Sequence, residues 1–186
     1  MSRRPGDEAA AFLELFNAAG RLKNERRKGW VRKLGMKHPE SVADHSYRTA
    51  LMAMAYSDLQ GLDTAKVLKM ALIHDLPEAI VGDSIPGERT KRQKSMLESA
   101  AMKKILGGMP AGQRIEYWEI WLEFNRGRSA EARLVGQVDK LEMAMQAAEY
   151  GRAHKGLGTE EFIESARAAI EDKDLVGLLG LVSRTD

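Results

Sequence analysis

The 186-residue sequence contains no cysteine. Disulfides, thiolate metal sites and cysteine nucleophiles are therefore excluded together. Long apolar runs are missing as well, and the longest, ALMAMAY at residues 50–56, is far too short to cross a bilayer. The N-terminal MSRRPGDEAA lacks the apolar centre of a secretory signal. These absences predict a cytoplasmic protein with no membrane partner. Neither charge sign dominates, and a net charge of +2 makes no case for nucleic acid. The sequence has no GxxxxGK[ST] phosphate loop and no GxSxG elbow, and GLG at 156–158 lacks the third glycine of a dinucleotide fingerprint. Sustained alternation of polar and apolar residues is absent too, which argues against a sheet.

What remains is a composition 44% hydrophobic and 30% charged, suited to one globular domain with a sizeable core. Helical periodicity runs through nearly every segment. EAAAFLELFNAAGRL (8–22) is a first helix, with Phe12, Leu15, Phe16 and Ala19 along one stripe. GWVRKLGMKHPE (29–40) is a connecting loop marked by its glycines and Pro39. Ser41 and Asp44 open the next helix with a capping box, and Gly61 ends it. Asp63 caps a helix that Pro77 breaks. Residues 82–94 form a polar loop whose Gly82, Pro86 and Gly87 suit a mobile lid. Helices follow over SMLESAAMKKIL, AGQRIEYWEIWLEFN and, opened by Ser129, SAEARLVGQVDKLEMAMQAAEY. A last helix near TEEFIESARAAI precedes an apolar tail, LVGLLGLV, which docks on the core or on a second subunit. No linker, repeat or low-complexity tract divides the chain, so residues 1–186 read as a single all-α domain. The basic stretch RLKNERRKGWVRK (21–33) is either a solvated helix end or a patch that meets phosphate.

The four histidines separate into two kinds. His38 and His154 lie in polar loop sequence and read as surface residues. His45 and His74 lie in apolar-rich helices with an acid beside each. In RLVGQVDKLEMAM, Asp139 interrupts another apolar face, where a carboxylate needs a cation, either a metal or a neighbour such as Lys140. Two imidazoles and two carboxylates, His45, His74, Asp75 and Asp139, suit a divalent Mn, Fe, Co, Ni or Zn ion. Adjacent helical side chains diverge, so His74 and Asp75 can share an ion only near a helix end, which Pro77 supplies. Glu78 follows His74 by four residues and Asp75 by three, on the same face. A buried hydrogen-bonded polar cluster without an ion is the plainer alternative.

The ordered set H…HD…D on helices resembles the HD-domain superfamily of metal-dependent phosphohydrolases. GWVRKLGMKHPESVADHSYRTALMAMAYSD, ALIHDLPEAIVGD and SAEARLVGQVDKLEMAMQAAEYGR are similar to its 5'-deoxynucleotidase branch, over about residues 10–155. The resemblance implies an HD-domain helical bundle that hydrolyses deoxyribonucleoside monophosphates as a homodimer. It puts the metal on His45, His74, Asp75 and Asp139, and catalysis on Glu78 and Asp83. It also implies that Arg27, or else Arg26, holds phosphate and that Trp30 crowds the sugar 2' position. Glu123 matches a sugar-side glutamate, and the tail beyond about residue 155 carries no motif. The competing readings are a phosphohydrolase for another nucleotide or small phosphate ester, and a non-catalytic nucleotide or nucleic-acid binding module using residues 21–33.

Overall fold

In the computed structural model, which describes residues 10–182, the chain runs through α1 (Leu13–Leu22), α2 (Lys28–Leu34), α3 (Val42–Gln60), α4 (Thr64–Ile73) and α5 (Glu78–Val81). It continues through α6 (Lys91–Leu106), α7 (Ala111–Arg126), α8 (Ala130–Ala153), α9 (Glu160–Ala169) and α10 (Lys173–Val182). Among the described residues there is no strand, only an isolated antiparallel bridge between Arg26 and Ser41. That bridge ties the basic segment to the start of α3.

Two helices form the frame. α3 buries Val42, His45, Ser46, Thr49, Ala50, Ala53 and Ser57, a stripe at helical spacing made largely of small side chains. Small residues let α4 and α8 approach α3 closely, and these are its main neighbours. α8 buries Leu134, Val135, Val138, Leu141, Ala144 and Ala147 against α3, α7, α9 and α10. The result is a single helical domain around one main core.

Several elements follow their sequence signals. Ser41 and Asp44 close the capping box, Gly61 ends α3 in the left-handed region at φ 66°, and Asp63 accepts from Lys66 N at 3.0 Å. Ser129 caps α8. Hydrogen bonds from the Ser41 backbone and hydroxyl hold the Asp44 carboxyl below its ordinary value of 3.8. A carboxyl lowered on folding stabilises above its unfolded pKa and loses that contribution as pH falls through the folded one. Asp44→Ala is therefore expected to cost about 1 kcal/mol at neutral pH. Denaturant titrations should show the gap from wild type closing as pH falls below the ordinary carboxylate value.

Other expectations need correction. Residues 28–34 form a helix rather than loop: the turn buries Trp30, and Gly35, at φ 66°, serves as its C-terminal cap. The inward face of α1 carries Ala18 and Leu22, with Phe12 and Leu15 of the expected stripe partly buried against the core, whereas Phe16 is 64% exposed and Ala19 also faces outward. α1 packs on α5 and α6 at short range, which favours small side chains. Glu8 and Ala9 of the expected first helix lie outside the described residues. The helix after the polar loop begins at Lys91, so the loop ends at residue 90. The apolar tail is itself a helix, α10, and Leu175 and Leu179 dock it on the core through α8.

Candidate metal centre

α4 stops at Ile73, so His74 and Asp75 leave the regular helix in the turn before Pro77. This turn lets adjacent side chains converge where a continuing helix would splay them. His74 Nδ1 donates to the Ala71 carbonyl at 2.7 Å, which fixes the tautomer and leaves Nε2 with a free lone pair. α7 braces this turn: Trp121 Nε1 donates to the His74 carbonyl at 3.2 Å, and Phe124 meets the imidazole edge-on at 5.3 Å. From α3, His45 brings its Nε2 to 3.0 Å from Asp139 Oδ1 of α8 and 3.8 Å from Asp75 Oδ2. Asp75 Oδ2 is also 3.1 Å from His74 Nε2. One ligand atom each from His45, His74 and Asp139 falls within a 4.8 Å cluster. The structure thus brings all four sequence-predicted ligands together.

The polar bookkeeping around these atoms calls for positive charge. Nε2 of both histidines is buried with no aligned hydrogen bond. Electron-rich nitrogens and carboxylate oxygens so close together repel unless a cation or a proton lies between them. Burial and Arg27 push against protonation of His45, but Asp139 and Glu142 outweigh them and raise its pKa to about 9. Burial likewise opposes ionisation of Asp75, yet His74, His45 and Arg27 hold it below its ordinary value. Asp139 is likewise held well below its ordinary value by Lys140 and the two histidines, against its burial. Two imidazole nitrogens facing two carboxylates form a donor set that fits one divalent ion.

The site opens into a cavity of about 440 Å³ lined by Asp75, Glu78, Asp83 and Asp139 on the ligand side. Glu78 is buried, its Oε2 has no partner, and burial followed by the charges of Asp75 and Asp83 pushes its pKa well above the usual carboxylate range. Asp83 is placed differently. Its Oδ2 accepts from Lys28 N at 2.5 Å and its Oδ1 from Ser84 N at 2.7 Å, so both oxygens pin the loop. Arg27 lines the cavity 3.6 Å from Asp75, whereas Arg26 donates to the Pro39 carbonyl at 3.0 Å. Trp30 also lines the wall, though it is only 1% exposed, with its indole nitrogen donating to Glu40 at 2.8 Å. Glu123 is not brought to this cavity: it pairs with Lys66 at 2.8 Å beside Trp118 and Leu122. The basic stretch is similarly dispersed, with Arg21 on Glu14, Lys28 on Glu88 and Lys33 on Glu161.

The HD domain family profile matches residues 19–174. The chain belongs to the HD-domain family. As a member, this HD-domain chain is similar to the human 5'-deoxynucleotidase HDDC2, at 38% identity over 94% of this chain and 85% of that protein. It is also similar to the 5'-deoxynucleotidase HDDC2 of Dictyostelium discoideum, at 40% identity over 75% of this chain and 77% of its relative. Among solved structures, the PH0347 protein from Pyrococcus horikoshii OT3 superposes with a TM-score of 0.77 at 32% identity, covering 94% of this chain and 99% of that one.

The HD-domain site also uses residues that the sequence reading passed over. Glu142, fully buried one turn after Asp139, accepts from His45 Nδ1 and so orients the imidazole toward the ligand cluster. Arg48 holds that carboxylate, with Nε 2.9 Å from Glu142 Oε1, and is itself fixed by Gln146 and Glu149. Position gave a signal: Glu142 follows Val135 by seven residues and Val138 by four, on the buried face. Glu40, which also comes within ligand distance of His45, is tied to Trp30 instead. The tail without a motif supplies a wall, since Glu161, Phe162 and Ser165 of α9 line the cavity. Phe162 packs on Trp30 with ring centroids 4.2 Å apart.

Proposed function

We propose that this HD-domain chain is a metal-dependent 5'-deoxynucleotidase, a phosphoric monoester hydrolase that converts deoxyribonucleoside 5'-monophosphates to deoxynucleoside and phosphate. The observation that carries the reading is a cluster of buried atoms without hydrogen-bond partners: His45 Nε2 and His74 Nε2 beside the cavity-lining Asp75 and Asp139, and Glu78 Oε2 in the cavity lining itself. The relatives of that name, aligned over most of the chain, support the substrate class. His45, His74, Asp75 and Asp139 would hold one divalent ion of the Mn, Fe, Co, Ni or Zn group, which when bound supplies Lewis acidity toward a phosphoryl oxygen and toward water.

The chain's own groups divide the remaining work. Glu78, whose carboxyl is pushed up by burial, is placed to donate a proton to the nucleoside oxygen as the P–O bond breaks and to take one from the attacking water. Asp83, bound through both oxygens to backbone amides, sets the position of the loop beside it. Arg27 keeps Asp75 ionised in its burial. Trp30, pressed between Phe162 and Tyr150 and tied to Glu40, forms a rigid wall beside the sugar 2' position. Rigidity there disfavours an added hydroxyl. The same reading includes a cytoplasmic homodimer, supported by the family resemblance; no helix among the described residues is long and apolar enough to cross a membrane.

The test is a rate panel of dAMP, dGMP, dCMP and TMP against the matching ribonucleotides, with Co or Mn added. Faster turnover of every deoxy substrate is expected. Equal rates on both sugars would remove the deoxyribose claim, and turnover confined to simple phosphate esters would move the enzyme to another substrate class.

A further inference from the structure

α2 runs along the cavity like a ruler. Arg27, at its N-cap, stands 3.6 Å from Asp75 at the ion's end. Trp30 follows one turn later and Lys33 one turn after that, and all three line the cavity. Steps of three residues keep side chains on one helical face, and six residues advance about 9 Å. A nucleotide with its phosphate at the ion and its sugar beside Trp30 therefore brings its base to the level of Lys33.

Both signs of charge stand at that level. Lys33 Nζ lies 2.9 Å from Glu161 Oε2 of α9, and 5.4 Å above the centre of the Phe162 ring. Because Phe162 packs on Trp30, the pair is held in register with the sugar wall. The two side chains are 41% and 50% exposed, and an ion pair so open to water adds little stability. It also leaves capacity unused, since an ammonium has more donors and a carboxylate more lone pairs than one mutual contact consumes. We propose that Lys33 and Glu161 form a nucleobase subsite, with Glu161 accepting from exocyclic amino groups and Lys33 donating to ring carbonyls. Adenine and cytosine carry the amine, thymine and uracil the carbonyl, and guanine both. One group of each kind admits every base. The assignment rests on the deoxynucleotidase reading and extends it to the far end of the substrate.

The cleanest probes are dCMP and dUMP, which differ at one base position, amine in the first and carbonyl in the second. Their hydrolysis by the metal-loaded full chain is compared with that of 2-deoxyribose 5-phosphate, which has no base. Glu161→Ala is expected to lower the dCMP-to-dUMP ratio of kcat/KM about three- to tenfold, and Lys33→Met to raise it by a similar factor. The change should fall mainly on KM, with metal content and cooperative melting retained. If the pair were only a strap between α2 and α9, both nucleotides would shift by one common factor. An unmoved ratio in both variants overturns the subsite and leaves the deoxynucleotidase reading intact. A wild-type protein that hydrolyses 2-deoxyribose 5-phosphate as well as either nucleotide removes the nucleotide reading itself, and the subsite with it.

Discussion

His74→Ala is expected to leave a folded protein that holds no ion and whose hydrolysis falls roughly a thousandfold or more, the scale of losing several kcal/mol of Lewis-acid stabilisation. The substitution removes one of two imidazoles from a set in which ligand atoms already crowd within 4.8 Å. What it leaves is Asp75 and Asp139 facing a single nitrogen. Metal analysis by mass spectrometry after chelation and reloading measures the first effect, and dAMP turnover the second. Cooperative melting of the variant separates ligand loss from unfolding. Glu142→Gln provides a graded comparison, because it touches no ion and acts by orienting His45. Its metal affinity is expected to drop about 10–100-fold, not to vanish. Full metal and full activity in His74→Ala would show that the centre lies elsewhere.

Glu78→Gln is expected to separate binding from chemistry. Glutamine keeps the shape of the side chain but cannot give up a proton to the leaving oxygen, so kcat should fall about 10²–10⁴-fold. Metal content and KM should stay near wild type, since Glu78 is not among the clustered ligand atoms. Asp83→Asn gives the contrast. Both Asp83 oxygens are occupied by backbone amides, so an amide there disturbs the loop and acts on KM and kcat together. A Glu78→Gln enzyme with unchanged kcat would transfer the proton step to another group.

The cluster of His45, His74, Asp75 and Asp139 was legible because each member breaks a pattern. His45 and Asp139 are polar positions on apolar helical faces, and His74-Asp75 stands just before a proline that ends the helix. Capping residues were equally readable, since Ser41, Asp63 and Ser129 act within four positions of themselves. Long-range packing was not. Spacing placed Phe12, Leu15, Phe16 and Ala19 on one stripe, but the packing of α1 on α5 and α6 buries Ala18 and Leu22 and leaves Phe16 and Ala19 outside. α2 was hidden by glycines at its second position and its cap, which read equally well as a loop. Glu142 was in view as a buried-face acid, but its partnership with His45 spans 97 positions and no local spacing encodes it. Glu123 failed for the same reason in reverse, because its nearest cation, Lys66, comes from α4.

The wall contributed by α9 has one more implication. The clustered His45, His74 and Asp139 atoms come from α3, the end of α4 and α8, while Glu161, Phe162 and Ser165 of α9 line the cavity. Reactivity and the shape of the chamber are thus written on different parts of the polypeptide. Substitutions in α9 are expected to change which molecules the chamber accepts while leaving the cluster of His45, His74 and Asp139 in place.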